Sequence, residues 1–141
     1  MLINIKRGFT LAEVAIVIAI FVVMVMALTP FVRMIKARAL DIACTNNLKL
    51  ISLGLHEFAA DTNGFFPRNL SELYPKYVKD PKTFDCPASK DTGTPEKPDY
   101  EYIAGLTERS PQSEAIVVDL SGGHRNRGKI VLTVGGAVAK R

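Results

Sequence analysis

The sequence predicts an α+β fold: one long N-terminal helix, transmembrane in its first half and amphipathic in its second, packed against a small antiparallel β-sheet. Three observations carry this. Val14 to Val32 is a run of nineteen residues without a charge; Leu40, Cys44, Leu48, Ile51, Leu55 and Phe58 recur at steps of four and three; and short β-like runs close the chain behind a proline-broken stretch. At 141 residues, with its opening third so apolar, the chain has one small water-soluble domain of roughly a hundred residues.

At 1.5 Å per residue the charge-free run forms a helix about 28 Å long, matching the roughly 30 Å hydrocarbon core of a bilayer. Lys6 and Arg7 before it favour a cytoplasmic N-terminus, while Arg33, Lys36 and Arg38 on the other flank pull the opposite way. A secretory signal has a similar outline, with Ala27 as its small exit residue and Leu28 as the new start. Glu13 counts against that reading. A carboxylate at the threshold of an apolar run is costly and asks for a partner.

The stretch from Lys6-Arg7-Gly8-Phe9-Thr10-Leu11-Ala12-Glu13 into Val14-Ala15-Ile16-Val17-Ile18-Ala19-Ile20 resembles the class III signal of type IV pilins and type II secretion pseudopilins. In that family a membrane-embedded prepilin peptidase cuts after the glycine and methylates the new N-terminus. The resemblance implies cleavage between Gly8 and Phe9, N-methylation of Phe9, and an assembly role for Glu13, the fifth mature residue, paired with the Phe9 ammonium. Pro30 also matches, as the twenty-second mature residue; its ring removes a donor to the Met26 carbonyl, so a kink or melted turn is expected there.

The implied organisation is a leader over 1–8, a transmembrane and filament-core helix over 9–32, the amphipathic half of that helix over 33–63, and a loop-and-sheet part over 64–141, a pilin-like fold. The implied partners are other pilins or pseudopilins in a helical filament, the prepilin peptidase, an inner-membrane assembly platform, and lipid before assembly. The implied place is the bacterial inner membrane as a single-pass protein with its C-terminal part outside the cytoplasm, and then a cell-envelope filament. In such a filament the apolar helices form the core and the globular parts coat the outside.

The helical stripe should end near Asp61-Thr62-Asn63-Gly64, where Gly64 supplies a stop. Prolines at 67, 75, 81, 87 and 95 forbid long regular elements after it. Asn69 followed by Glu72 suggests a capping box for a short helix through Tyr74, and Asp80 to Pro87 reads as an ordered loop with Phe84 and Cys86 tucked inward. Strand-like runs then occupy Tyr100 to Leu106, Glu114 to Leu120 and Lys129 to Val134, with Gly135 to Val138 as a short fourth; runs joined by turns favour an antiparallel meander on the helix.

Cys44 in the stripe and Cys86 in the loop form either one disulfide or two buried free thiols. With no CxxC and only His56 and His124, neither zinc nor any other metal or cofactor is expected. Asp119 precedes a loop holding arginines and a histidine in place of the carboxylates that calcium would need. The net charge of +4 drops to +2, from 16 basic against 14 acidic residues, without Lys6 and Arg7, too mild to argue for nucleic acid.

The loop Ser121-Gly122-Gly123-His124-Arg125-Asn126-Arg127-Gly128 offers glycines and arginines to an anion but lacks the P-loop ending, and reads first as a hairpin connection. A catalytic His56 would want a nucleophile and an orienting acid; Ser52 and Glu57 are near in sequence but fall on different faces. The chain is therefore expected to be a structural filament subunit and not an enzyme. The rival reading is a minor pilin-like binding module at a filament tip, capturing DNA, a surface or a secreted substrate through Arg125 and Arg127.

Overall fold

A computed structural model describes residues 10–119 and 128–140. Its first element, α1, runs from Leu11 to Asp61. The chain divides into two compact units, 1–36 and 37–141.

In the first unit, α1 is apolar all round between Glu13 and Arg33 and every described side chain is exposed, Phe21 at 67% and Ile16 at 60% among them. A helix with no polar face has no stable surface in water, so this segment requires lipid or other protein around it. The helix continues through Pro30 with no turn melted, and Thr29 Oγ1 donates to the Val25 carbonyl one turn earlier at 2.8 Å.

In the second unit the expected stripe is the seat of the core: Cys44, Leu48, Ile51 and Leu55 are buried, joined by Ser52, Gly54 and Ala59. Leu40 and Phe58 at its ends are half-buried, and Phe58 meets Tyr77 edge-to-face at 5.4 Å. The stop is a Schellman-type ending: the Gly64 amide donates back to the Ala59 carbonyl at 2.8 Å, with Asn63 at φ +57° and Gly64 at +89°. Asn63 takes the first left-handed position, which asparagine tolerates better than most residues, and glycine the second.

The next segment crosses α1 closely at Gly54. A Cβ built there would lie 2.8 Å from Val78 Cγ2 and 3.7 Å from Leu73 Cδ1. Replacing Gly54 with Ala would gain up to about 1 kcal/mol of helix propensity and lose about 1–3 kcal/mol to overpacking. Gly54→Ala should thus lower the thermal midpoint by a few degrees, and a rise would mean that Val78 repacks freely.

Two short 3₁₀ helices follow, α2 at Leu70–Leu73 and α3 at Pro81–Phe84. The capping box expected at the first does not form. Asn69 sits at the N-cap with no side-chain bond to the backbone; its carboxamide oxygen accepts from the Ser71 hydroxyl instead. At the second, Asp80 Oδ1 accepts from the Lys82 amide at 2.9 Å with Pro81 opening the turn, and Phe84 and Cys86 are fully buried as expected.

The sheet is an antiparallel meander in the order β1 (Tyr100–Tyr102), β2 (Ala115–Asp119), β3 (Ile130–Thr133), β4 (Val138–Lys140). β1 is shorter than its apolar run, because the chain turns at Gly105, φ +90°. β4 starts where the expected fourth run ends, since Gly135 and Gly136 form the turn into it. Between Ala115 and Val117 the pairing with β3 slips, and the bulge lets two consecutive residues, Ile116 and Val117, both enter the core. Helix and sheet share one apolar cluster in which Leu48, Ile51 and Leu55 join Phe84, Val117 and Leu132. Lys140 Nζ, on the edge strand, meets Asp41 Oδ2 of α1 at 2.9 Å.

Candidate processing and assembly site

The expected cleavage and methylation positions, Gly8 and Phe9, lie outside the described residues, as do Arg125 and Arg127 of the candidate binding loop. What is described begins one residue after the expected cut. The Thr10 amide donates to Glu13 Oε2 at 2.8 Å, the Thr10 hydroxyl donates to the same oxygen at 2.8 Å, and the Glu13 amide donates to Thr10 Oγ1 at 3.3 Å. This is a reciprocal capping box of the Thr-x-x-Glu kind, which satisfies donors that the first turn of a helix leaves without partners.

The sequence signal for it stands in Thr10-Leu11-Ala12-Glu13, where the resemblance draws attention only to the charge of Glu13. Glu13 therefore does two jobs in physical terms. Its carboxylate faces the positive end of the helix dipole and ties down the turn, and it holds negative charge four residues from where a new ammonium would arise on Phe9.

Cys44 and Cys86 do come together. Both are buried thiols with no disulfide between them, and their sulfurs and an Asp119 carboxylate oxygen lie within 4.8 Å of one another; Cys86 Sγ donates to Asp119 Oδ2 at 3.4 Å. The neighbouring Cys86 thiol and burial push the Cys44 thiol far above its usual range. The approach of Asp119, itself 2% exposed, has no signal in the sequence because it depends on the register of β2.

The loop leaving Cys86 is organised by carboxylates. Asp99 Oδ2 accepts from the Cys86 amide at 3.0 Å and Asp85 Oδ1 from the Gly93 amide at 2.9 Å. Burial, and then the charge of Asp85 beside it, raises the Asp99 pKa above its ordinary 3.8. The folded chain thus takes up a proton at higher pH than the unfolded one. This contribution to stability is complete below 3.8 and is lost as pH rises through the raised value. Asp99→Asn should flatten that part of the stability profile, as measured by urea unfolding at pH 4 and pH 7; an unchanged difference between the two would remove Asp99 as its source.

His56 has an orienting acid after all: its Nδ1 lies 3.2 Å from Glu108 Oε1, a residue 52 positions away, and its ring meets Phe66 edge-on at 5.8 Å. Ser52, one helical turn before, borders the same point near Gly136 as His56 Nε2. Ser52 is buried, however, and no hydrogen bond joins it to His56 among the described residues, so the group reads as packing between the helix and the loops over it.

The family model of the prokaryotic N-terminal methylation motif matches residues 3–29. No curated protein and no solved structure matches the chain. That motif implies processing by prepilin peptidase and assembly with other pilins, in a family whose members are structural, and together with the apolar helix it fits anchoring in the inner membrane. The chain carries a prepilin-type N-terminal methylation motif on a helix-and-sheet fold, which supports its place among the type IV pilin-like proteins.

Proposed function

We propose that the chain is a structural subunit of a type IV pilus-like filament or type II secretion pseudopilus, matured by cleavage between Gly8 and Phe9 and methylation of Phe9. The observation that supports this most is the pairing of a methylation motif over 3–29 with a helix whose first unit is exposed on every side. Such a surface suits lipid before assembly and the helices of identical neighbours after it. Inside lipid, helices gain nothing from hydrophobic burial against one another, so association relies on close packing and matched charges. The Phe9 ammonium and Glu13 supply that match, in one chain or between neighbours.

The subunit would sit in the inner membrane with its N-terminus in the cytoplasm and its sheet-bearing part outside, and would be drawn into the filament by an inner-membrane assembly platform. The test is the intact mass and N-terminal sequence of the protein from membranes of its own host. The expected start is N-methylated Phe9, reverting to Met1 when the host's prepilin peptidase is deleted. A start at Leu28 would instead mean an exported soluble protein and overturn the reading.

A further inference from the structure

Cys44 belongs to the core-facing stripe of α1 and Cys86 to the loop after α3, so their meeting is made by tertiary folding alone. Forty-one residues lie between them, and within that span the regular structure amounts to the end of α1 and two 3₁₀ helices of four residues each. We propose that Cys44 and Cys86 are a disulfide-forming pair that fastens the long helix to the loop packed on it. Oxidation in the cell rests on the export of this part of the chain proposed above; the pairing itself does not.

Three features support a bridge over a metal site or two unrelated core thiols. The sulfurs lie within 4.8 Å of each other, so side-chain rotation has little distance to close. A metal would need both sulfurs as thiolates beside the Asp119 carboxylate, in a place where all three residues are at most 2% exposed, whereas a disulfide is neutral and apolar. A loop of this length also has much unfolded-state freedom for a cross-link to remove.

The bond forms by exchange with an external disulfide, protein-borne or small, before the loop closes over the helix. The Cys86 thiolate attacks one sulfur of that disulfide and displaces the first thiolate. The Cys44 thiolate then attacks the Cys86 sulfur and displaces the second. Two electrons pass from the cysteines to the external disulfide, which ends as two thiols carrying the two protons.

The test uses the full-length chain in detergent, reduced and then equilibrated with mixtures of reduced and oxidised glutathione in the presence of a chelator. The expected result is joint loss of both titratable thiols, a mass lower by two hydrogen atoms, and a thermal midpoint higher by on the order of 10 °C in the bridged form. Two thiols that still titrate in oxidised glutathione would overturn the pairing. So would thiols protected only by stoichiometric zinc added without chelator and lost in Asp119→Asn, which would mark a metal site. Free thiols in chain taken from native membranes, together with a bridge formed in glutathione, would uphold the pairing and overturn its oxidation in the cell.

Discussion

Glu13→Gln should leave leader cleavage intact and reduce filament incorporation by about two orders of magnitude. The substitution is chosen because Gln can still complete a capping box, so the three contacts between Thr10 and residue 13 survive in outline while the charge is lost. Leaving one member of a buried ion pair without its partner costs about 3–5 kcal/mol, and each 1.4 kcal/mol is tenfold in an equilibrium. Thr10→Ala is the complement: it removes the cap, at about 1 kcal/mol, and keeps the carboxylate.

The expected order of filament yield, read as sheared filament protein against total cleaved subunit, is wild type, then Thr10→Ala, then Glu13→Gln close to Glu13→Ala. Normal yield from Glu13→Gln would show that Glu13 acts only as a helix cap. A Thr10→Ala variant as defective as Glu13→Gln would show that the shape of the first turn, and not its charge, governs entry into the filament.

The parts of this fold that could be read in the sequence are those set by local periodicity and local backbone need. The stripe from Cys44 to Leu55 follows from helical spacing, the stop at Asn63 and Gly64 from residues that tolerate positive φ, and the meander from the order of successive apolar runs. What could not be read depends on register or distance along the chain. The bulge at Ile116 is a pairing slip between strands, and Glu108 reaches His56 across 52 residues.

Asn69 illustrates a local signal overridden by a local competitor. A hydroxyl two residues on, at Ser71, occupies the carboxamide oxygen that would have capped the helix. At the candidate site the order was reversed. The Thr10 and Glu13 box was legible as a four-residue pattern, but the resemblance to pilins assigns Glu13 to the Phe9 ammonium, in its own chain or a neighbour's, and its role as a helix cap is visible only in the hydrogen bonds.

Gly93→Ala is expected to be the most damaging single substitution outside the apolar helix. Gly93 is buried, and a Cβ there would lie 2.3 Å from the Phe84 carbonyl oxygen, 2.8 Å from Asp85 Cα and 3.0 Å from the Phe84 carbonyl carbon. These are backbone atoms, which cannot rotate away as Val78 can beside Gly54. The same two residues anchor the whole loop: the Phe84 carbonyl accepts from the Asp99 amide at 3.1 Å, and Asp85 Oδ1 accepts from the Gly93 amide at 2.9 Å.

Relief of the clash therefore has to move Phe84, whose ring is fully buried in the core, or open the loop and release both bonds. Overpacking together with two lost hydrogen bonds amounts to about 3–5 kcal/mol, or a fall in thermal midpoint on the order of 15–25 °C for a domain of this size. Gly105→Ala is the control. Nothing lies within 4 Å of its added Cβ, and its φ of +90° makes the cost one of backbone conformation alone, about 1–2 kcal/mol. If Gly93→Ala unfolds no earlier than Gly105→Ala, the loop yields to the methyl group and does not hold Cys86 in place against the helix.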